Sequence, residues 1–343
     1  MKIDIFNHVM PARYLELMKQ HSKDAGLVKR MSNLRMLWDI DARVAMLAEK
    51  FPDVQQVLTL SLPPPEALGG PELAPELARV ANDGMAEICG RWPERFPAFV
   101  ASVPMNNVPA ALAEMDRAIG SLGARGIQIC TNVAGRPLDE PEFFPVLERA
   151  TNHHDVPIWM HPARPAAFAD YRTEQKSRYE IWQVLGWPYE TSVAMAHMVF
   201  GGLFDRHPGF KLITHHMGGM IPYFEGRIGP GWDQLGSRTS DEDYGVLLKS
   251  FQSKGKRPID YFHHFYADTA LFGALEATKC GLAFFGADRT LFASDAPFDP
   301  EGGRMYIRET LAIIERLELT PAARSAVYEG NLRRLCNGRL GAH

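Results

Sequence analysis

Short apolar runs alternate with longer amphipathic stretches along the whole chain. Eight of these runs are continuous rather than alternating, which is typical of strands buried on both faces of a parallel sheet. They lie at Ile3–Ile5, Gln56–Leu60, Phe99–Val103, Gly126–Ile129, Val156–Met160, Lys211–Thr214, Phe265–Asp268 and Leu291–Ala293. The pattern therefore predicts a parallel sheet of eight buried strands.

Between the runs, apolar residues recur at helical spacing. The predicted helices are Pro75–Arg91, Pro109–Leu122, Glu142–Asn152, Thr191–Arg206, Arg304–Leu317 and a last helix that begins at Thr320-Pro321. Proline suits a first helical turn, and threonine suits the cap before it. Repeated strand–helix alternation predicts an α/β fold, a closed (β/α)₈ TIM barrel. A doubly wound open sheet is the weaker alternative, because no glycine-rich phosphate loop follows the first strand.

Two stretches exceed the simple repeat. Residues Ala12–Asp39 form an insertion after strand one, and residues Gly229–Pro258 form another after strand six. Long connections of this kind usually shape the mouth of a barrel site or a subunit contact. No internal repeat, low-complexity segment or linker interrupts the pattern, so we predict that residues 1–343 form one barrel domain.

The composition excludes several classes of protein. The 343 residues are 46% hydrophobic and 23% charged, which fits a globular chain with a large core. A formal net charge of −4 without a long basic run predicts no nucleic-acid partner and no membrane partner. Four widely spaced cysteines predict reduced thiols, and the lack of a signal-peptide pattern predicts a cytoplasmic protein.

Polar residues follow the predicted strands at their carboxyl ends, where barrel active sites form. They are His8 after strand one, His161 after strand five, His215 and His216 after strand six, Asp268 after strand seven and Asp295 after strand eight. Neutral imidazole and carboxylate suit zinc or another first-row divalent ion. We therefore predict a metal-dependent site built from His8, His161, His216 and Asp295.

These residues lie in blocks that resemble the amidohydrolase superfamily. Within it, the chain is similar to the amidohydrolase-related group that contains 2-amino-3-carboxymuconate-6-semialdehyde decarboxylase and γ-resorcylate decarboxylase. The blocks occur in order along nearly the whole chain: MKIDIFNHVMP, IWMHPARP, GWPYET, HMGGMIPYFEGRI, YADTA and FASDAP. The ordered set is specific where one block alone would not be, and it implies the barrel fold.

The resemblance implies a metal site with one departure. His161 and Asp295 match ligands after strands five and eight, and His8 matches a ligand after strand one. The family opens with His-x-His or a variant such as Glu-x-His, whereas this chain has Phe6, which cannot bind a metal. Three protein ligands plus water still make a catalytic site for one divalent ion, with zinc as first choice and manganese as second.

The resemblance also implies proton-handling and substrate-binding residues. His216 matches the histidine that handles protons, and the neighbouring His215 is expected to point elsewhere because adjacent strand residues face opposite sides. Arg227 resembles an arginine that binds substrate across a dimer interface, which predicts a homodimer. Arg164 is a second candidate for pairing with a substrate carboxylate, and Arg30 and Arg35 in the first insertion are two more.

The implied function is a metal-dependent, non-oxidative decarboxylase of a small unsaturated or aromatic carboxylic acid, in which His216 assists proton delivery. A hydrolase or hydratase that acts on a lactone, amide or thioester is the alternative, with Asp295 taking a proton. Strand four ends in Gln128-Ile129-Cys130-Thr131 without a lysine, which argues mildly against a two-metal hydrolase. A non-catalytic barrel that binds a small molecule, marked by Phe6, is the third hypothesis.

Overall fold

The computed structural model describes residues 1–238 and 244–340. Within these residues, eight parallel strands lie side by side in chain order. They are β1 Lys2–Val9, β2 Val54–Leu60, β3 (Ala98–Phe99 and Ala101–Ser102, interrupted at Val100), β4 Ile127–Cys130, β5 Ile158–His161, β6 Leu212–Thr214, β7 Tyr266–Asp268 and β8 Thr290–Leu291. A short antiparallel ribbon, Asn132–Val133 with Arg136–Pro137, lies outside this sheet. All eight predicted strands are present.

The sheet closes into a barrel. The first half of β3 pairs with β2, and the second half pairs with β4, so β3 joins the two parts of the sheet. At the remaining gap, the Ile5 N–H donates to the Phe292 carbonyl and the Asp295 N–H donates to the Phe6 carbonyl, both at 2.9 Å. The first strand is thereby bonded to the segment after the last strand, and the predicted (β/α)₈ barrel is confirmed.

Helices cover the outside of the barrel. They are α1 Ala12–His21, α2 Ala25–Asn33, α3 Arg35–Trp38, α4 Ile40–Lys50, α5 Pro65–Leu68, α6 Ala74–Arg91, α7 Val108–Gly120, α8 Phe144–Glu148, α9 Ile181–Val184, α10 Gly186–Phe200, α11 Leu203–Arg206, α12 Glu225–Trp232, α13 Gly245–Ser253, α14 Leu275–Phe285, α15 Arg304–Arg316, α16 Pro321–Ser325 and α17 Asn331–Leu335. Short 3₁₀ or π segments are His216–Gly218, Pro258–His264, Arg149–His153 and Ala326–Gly330.

Most predicted helices agree with these bounds, with two differences. The predicted helix Thr191–Arg206 is divided into α10 and α11, because Gly202 adopts a left-handed φ of 76° between them. The pattern also did not predict the helices α1 to α5, α9, α12, α13 and α14. The predicted cap of the last helix is present, since Thr320 Oγ1 accepts a hydrogen bond from the Ala323 N–H at 3.2 Å.

Three connections extend beyond the simple repeat. Helices α1 to α3 occupy residues 12–38, between β1 and α4. A long connection between β5 and α10, residues 162–185, was not predicted. The predicted insertion Gly229–Pro258 contains the end of α12 and all of α13, and its residues 239–243 lie outside the described residues. None of the described helices has the length and hydropathy needed to cross a membrane.

Apolar side chains fill the barrel beneath its carboxyl end. Trp159 of β5 is fully buried, and its Nε1 donates to the Ile5 carbonyl at 2.9 Å, so one indole links β5 to β1 through the interior. Ile213 and Leu291 belong to the same buried cluster. This packed floor leaves the polar chemistry to the carboxyl ends of the strands, as in other barrels.

Candidate active site

The end of β1 presents two side chains to the barrel interior. The pairing of β1 with β2 shifts register between Asp4 and Asn7, which is a β-bulge. Phe6 and His8 are two residues apart, and both rings contact the ring of a third residue in the barrel, His161. Asn7 faces away and accepts a hydrogen bond from Arg43, as strand alternation predicts.

The end of β6 brings two adjacent histidines into the site. Ile213 packs in the barrel interior, and His215, two residues later and still extended (φ −79°, ψ 156°), faces the same way. His216 then takes a left-handed φ of 52°, and its ring stacks on that of His215 with centroids 3.8 Å apart. The expectation that His215 points elsewhere is therefore wrong, because alternation turns His215 inward and the following turn returns His216 to the site.

Strands β5, β7 and β8 supply the rest of the site. The Nδ1 of His161 donates to the Pro162 carbonyl at 2.7 Å, which leaves its Nε2 for the site. Asp268 ends β7, and its Oδ2 lies 2.5 Å from Nδ1 of His215, which leaves the Nε2 of that ring free. Asp295 follows β8 and adopts a left-handed φ of 61°.

The ligand-type atoms of these residues converge. One nitrogen from each of His8, His161 and His215 lies within 4.8 Å of the others, and the same holds for ligand atoms of His215, His216 and Asp295. Asp295 Oδ1 is 2.9 Å from His8 Nε2 and 3.4 Å from His215 Nε2. His216, at 8% exposure, and Asp295, at 6%, are the members nearest to solvent. Substrate would therefore approach from their side.

Buried atoms without partners show that one divalent ion fits this group. His8 Nε2, His215 Nε2 and Asp295 Oδ1 have no hydrogen-bond partner among the described residues. Donors that share a tetrahedral ion at about 2 Å lie about 3.3 Å apart. The separations of 2.9 Å and 3.4 Å are close to that value. Imidazole and carboxylate are also donor types that zinc and manganese accept.

Burial and neighbouring charges set the protonation of the site. Burial lowers the pKa of His8 and of His216, and burial with the adjacent His8 and His215 lowers the pKa of His161 well below its usual range. Burial also opposes a charge on His215, but Asp268 and Asp295 raise its pKa to about 9. Burial acts to raise the pKa of Asp295, yet the surrounding imidazoles hold it well below its usual range. Without a metal, these shifts favour neutral imidazoles at His8, His161 and His216. They favour a protonated imidazole at His215 and a carboxylate anion at Asp295.

Aromatic side chains wall the mouth of the site. Three of them contact its histidines, with these separations between ring centroids: Trp187 to His161 at 5.5 Å, Phe298 to His8 at 5.3 Å and Phe272 to His216 at 5.7 Å. Tyr306 stacks on Phe272 at 4.3 Å, and Trp182 packs against Trp187 at 5.4 Å. The Arg30 guanidinium lies 5.6 Å from the centre of the Phe298 ring. The mouth of the site is therefore lined by planar aromatic rings and by the cationic side chain of Arg30.

The two arginines predicted to bind substrate lie outside the histidine cluster. Arg164 Nη1 is 3.0 Å from Glu190 Oε1, while its Nε is buried without a partner in the described part of the chain. Arg227 on α12 is exposed, and its side chain has no partner within residues 1–238 and 244–340. Their substrate-binding roles stay predictions.

Comparison with known proteins identifies the family, because the amidohydrolase model matches residues 3–336. The chain belongs to the amidohydrolase family. The family resemblance found in the sequence is thereby confirmed.

Several decarboxylases are similar to this amidohydrolase. It is 27% identical to the 2-amino-3-carboxymuconate-6-semialdehyde decarboxylase of Dictyostelium discoideum over 87% of this chain and 82% of that one. It is 31% identical to the γ-resorcylate decarboxylase of Rhizobium radiobacter over 71% and 72% of the chains. A dihydroxybenzoic acid decarboxylase from Polaromonas sp. JS666, solved with manganese and the inhibitor 2-nitroresorcinol, has a TM-score of 0.75 at 26% identity, covering 98% and 96% of the chains.

Sequence reasoning did not assign His215, Asp268 or most of the aromatic wall to this site. The signal for His215 was Ile213, a buried apolar residue two positions earlier on the same strand. The signal for Asp268 was its place directly at the end of β7. The aromatic residues come from connections between strands and helices, and the strand pattern does not determine the course of those connections.

Proposed function

We propose that this amidohydrolase is a metal-dependent, non-oxidative decarboxylase of a small aromatic or unsaturated carboxylic acid. The observation that carries the proposal is the convergence of His8, His161 and Asp295 beside His216, at the carboxyl end of a barrel. Proteins similar to this chain over most of its length are named as decarboxylases of such acids.

One divalent ion would be held by His8, His161 and Asp295. The imidazole-rich donor set favours zinc. Manganese is the second candidate, since it is bound in the similar Polaromonas enzyme. When bound, the ion would act as a Lewis acid toward a substrate oxygen.

His216 and Asp295 form the proton-handling pair. Loss of carbon dioxide breaks a carbon–carbon bond and leaves the electron pair on a substrate carbon, which must then take up a proton. His216 Nε2 lies 3.5 Å from Asp295 Oδ2, and its Nδ1 is buried without a partner among the described residues. The pair can hold a proton and deliver it from the side of the site nearest to solvent.

The mouth fits a flat acid. Aromatic rings on several sides offer stacking surfaces. The guanidinium of Arg30 can pair with a substrate carboxylate through its planar fork. The buried N–H groups of Trp187 Nε1 and Arg164 Nε are free to bind substrate oxygens, since neither has a partner among the described residues. We therefore propose Arg164 as a substrate-binding residue that acts through Nε, because Glu190 already pairs with its Nη1.

We also propose a homodimer. Exposed large apolar residues concentrate in the segment after β5: Phe168, Tyr171, Tyr179, Val184, Leu185 and Tyr189. A concentration of this kind marks a protein–protein surface. The Met220 N–H donates to Ser192 Oγ at 2.8 Å, so the chain leading to α12 and Arg227 adjoins α10. A second copy on this face would cover the apolar residues and bring Arg227 to the interface, where we propose that it binds the partner's substrate.

The dimer is tested by sedimentation of Leu185→Asp beside a matched control, Val246→Asp. Leu185 is 64% exposed in the apolar segment, and Val246 is 72% exposed on α13. We expect a monomer for the first variant and the wild-type mass for the second.

Mixing Arg227→Met with His216→Gln subunits should restore part of the activity if Arg227 serves the partner's site. A monomeric wild type would contradict the proposal.

The function is tested by measuring carbon dioxide release from hydroxybenzoic acids, with zinc or manganese added to metal-free protein. We expect metal-dependent release, which falls at least about 100-fold in His216→Gln because a proton-transfer group is lost. That variant should retain its metal. His153→Gln, which changes an exposed histidine, is the matched control. Hydrolysis of the corresponding esters without carbon dioxide release would instead indicate the hydrolase, and absence of both metal binding and turnover would indicate a non-catalytic barrel.

A further inference from the structure

We infer that His215 is a further ligand of the metal ion, oriented by Asp268 and supported by Phe6. The inference rests on the proposed metal dependence, and it adds a ligand that the resemblance does not assign. It changes the donor set from two imidazoles and a carboxylate to three imidazoles and a carboxylate.

The position of His215 Nε2 carries the inference. This atom is fully buried and has no hydrogen-bond partner among the described residues. It lies 3.4 Å from Asp295 Oδ1, and a ring nitrogen of His215 is within 4.8 Å of ligand atoms of both His8 and His161. A buried polar atom without a partner destabilises the folded protein. Coordination of an ion is the interaction that all of these neighbours can share.

Asp268 fixes the ring in the orientation that a ligand requires. Its Oδ2 lies 2.5 Å from His215 Nδ1, while its Oδ1 accepts the Ala270 N–H at 3.0 Å. Asp268 is itself fully buried. Metal-binding histidines commonly donate their other ring nitrogen to a carboxylate, which sets the tautomer and increases the basicity of the ligand. The same arrangement is present here at His215.

Phe6 explains why the additional ligand comes from β6. It faces the site from the position two residues before His8 but has no donor atom. Its ring stacks on His215 with centroids 3.9 Å apart and an interplanar angle of 19°. The phenyl ring of Phe6 therefore occupies the space beside the cluster, and the imidazole of His215 stacks flat on that phenyl ring. His216 stacks on His215 as well, but its Nε2 faces Asp295 Oδ2, as its proton-handling role requires.

The test is the affinity of metal-free protein for Zn²⁺, measured by competition with a chelator. For His215→Ala we expect a Kd at least about 100-fold weaker than for wild type, and for Asp268→Asn about 10- to 100-fold weaker. The visible spectrum of the Co²⁺-substituted protein should also change in His215→Ala, because a nitrogen ligand is lost. Circular dichroism checks that each variant is folded.

Two further variants make the result specific. Asp116, His153 and His154 form another group of metal-type side chains, so His153→Ala is the control, and we expect the wild-type Kd. Phe6→His combined with His215→Ala returns an imidazole to the adjacent inward position and should regain part of the lost affinity.

The outcomes separate the two proposals. If wild type binds one ion and both His215→Ala and Asp268→Asn bind it equally well, with an unchanged Co²⁺ spectrum, the inference is overturned while the proposed decarboxylase stands. If wild type binds no ion, both fail. If His215→Ala does not fold, Asp268→Asn decides, since it retains the imidazole and changes only its support.

Discussion

Arg30 illustrates how a single charge at the mouth can select substrates. Its Nη1 hydrogen-bonds to Gln183 Oε1 at 2.5 Å, and its guanidinium faces Phe298, whose ring contacts His8. The cation is therefore fixed beside the site on a helix outside the barrel. A substrate carboxylate that enters along the aromatic wall would meet it first.

We predict that Arg30→Met raises KM by roughly 10- to 100-fold, because the substrate loses one charge-assisted hydrogen bond. The value of kcat should change little. Steady-state kinetics with an aromatic acid measures this effect. Arg35→Met is the matched control, because Arg35 is 68% exposed and pairs with Asp39. An equal KM change in both variants would show that only general electrostatics is involved.

Arg43 is a buried side chain that supports the backbone of the site from outside the barrel interior. It is 1% exposed and donates to Gln56 Oε1 at 2.8 Å and to the His8 carbonyl at 2.5 Å. Burial lowers its pKa to about 10, so the group remains charged at neutral pH. The guanidinium thus ties α4 and β2 to the residue of β1 that carries His8.

We predict that Arg43→Met lowers the free energy of unfolding by roughly 2–5 kcal/mol, because buried acceptors lose their donors. Urea unfolding of the metal-free protein measures it. Arg91→Met removes an exposed pair with Asp41 and should change stability by less than about 1 kcal/mol. Similar losses in both variants would contradict the role given to Arg43.

Among the elements, β3 depends on a helix for part of its hydrogen bonding. It is interrupted at Val100, and an amide side chain from α6 completes its hydrogen bonding. Asn82 Oδ1 accepts the Ser102 N–H at 2.8 Å, and Asn82 Nδ2 donates to the Ser102 carbonyl at 2.9 Å and to Glu114 Oε1 at 2.7 Å. One side chain therefore joins α6, β3 and α7.

We predict that Asn82→Ala destabilises the protein by roughly 2–4 kcal/mol, since two buried backbone groups lose their partners. Hydrogen exchange of the Ser102 amide should accelerate more than exchange in β5. Asp83→Asn, which changes the neighbouring exposed residue, should leave both stability and exchange near the wild-type values. Unchanged protection of Ser102 in Asn82→Ala would show that β3 does not need this contact.

The elements also show how far the sequence determines the site. Continuous apolar runs located all eight strands, so their carboxyl ends located His8, His161, His216 and Asp295. The rule that adjacent strand residues face opposite sides excluded His215, because it was applied from His216 as the inward-facing residue. The rule succeeds when it starts from Ile213, but the left-handed turn at His216 that returns the next side chain to the site has no period-two signature. The aromatic wall comes from connections, whose paths depend on tertiary packing.

For the whole molecule, closure of the barrel links distant parts of the chain. Asp4 of β1 accepts hydrogen bonds from both the backbone and the hydroxyl of Ser294, beyond β8. The amino group of Met1 lies 3.6 Å from Glu329. These contacts join the first strand to segments near the other end of the described chain, which favours the prediction that residues 1–343 form one domain.

A bound metal should act on this whole unit. Its proposed ligands lie at or just beyond the carboxyl ends of β1, β5, β6 and β8, so an ion would hold strands from both halves of the barrel together. We predict one calorimetric unfolding transition that moves upward with added Zn²⁺, since an ion at about 1,000 times its Kd adds about 4 kcal/mol when it binds only the native state. His161→Ala should unfold at the temperature of the metal-free protein, with or without Zn²⁺. Two separate transitions, of which only one responds to the ion, would show that the chain consists of two units and that the metal stabilises only one of them.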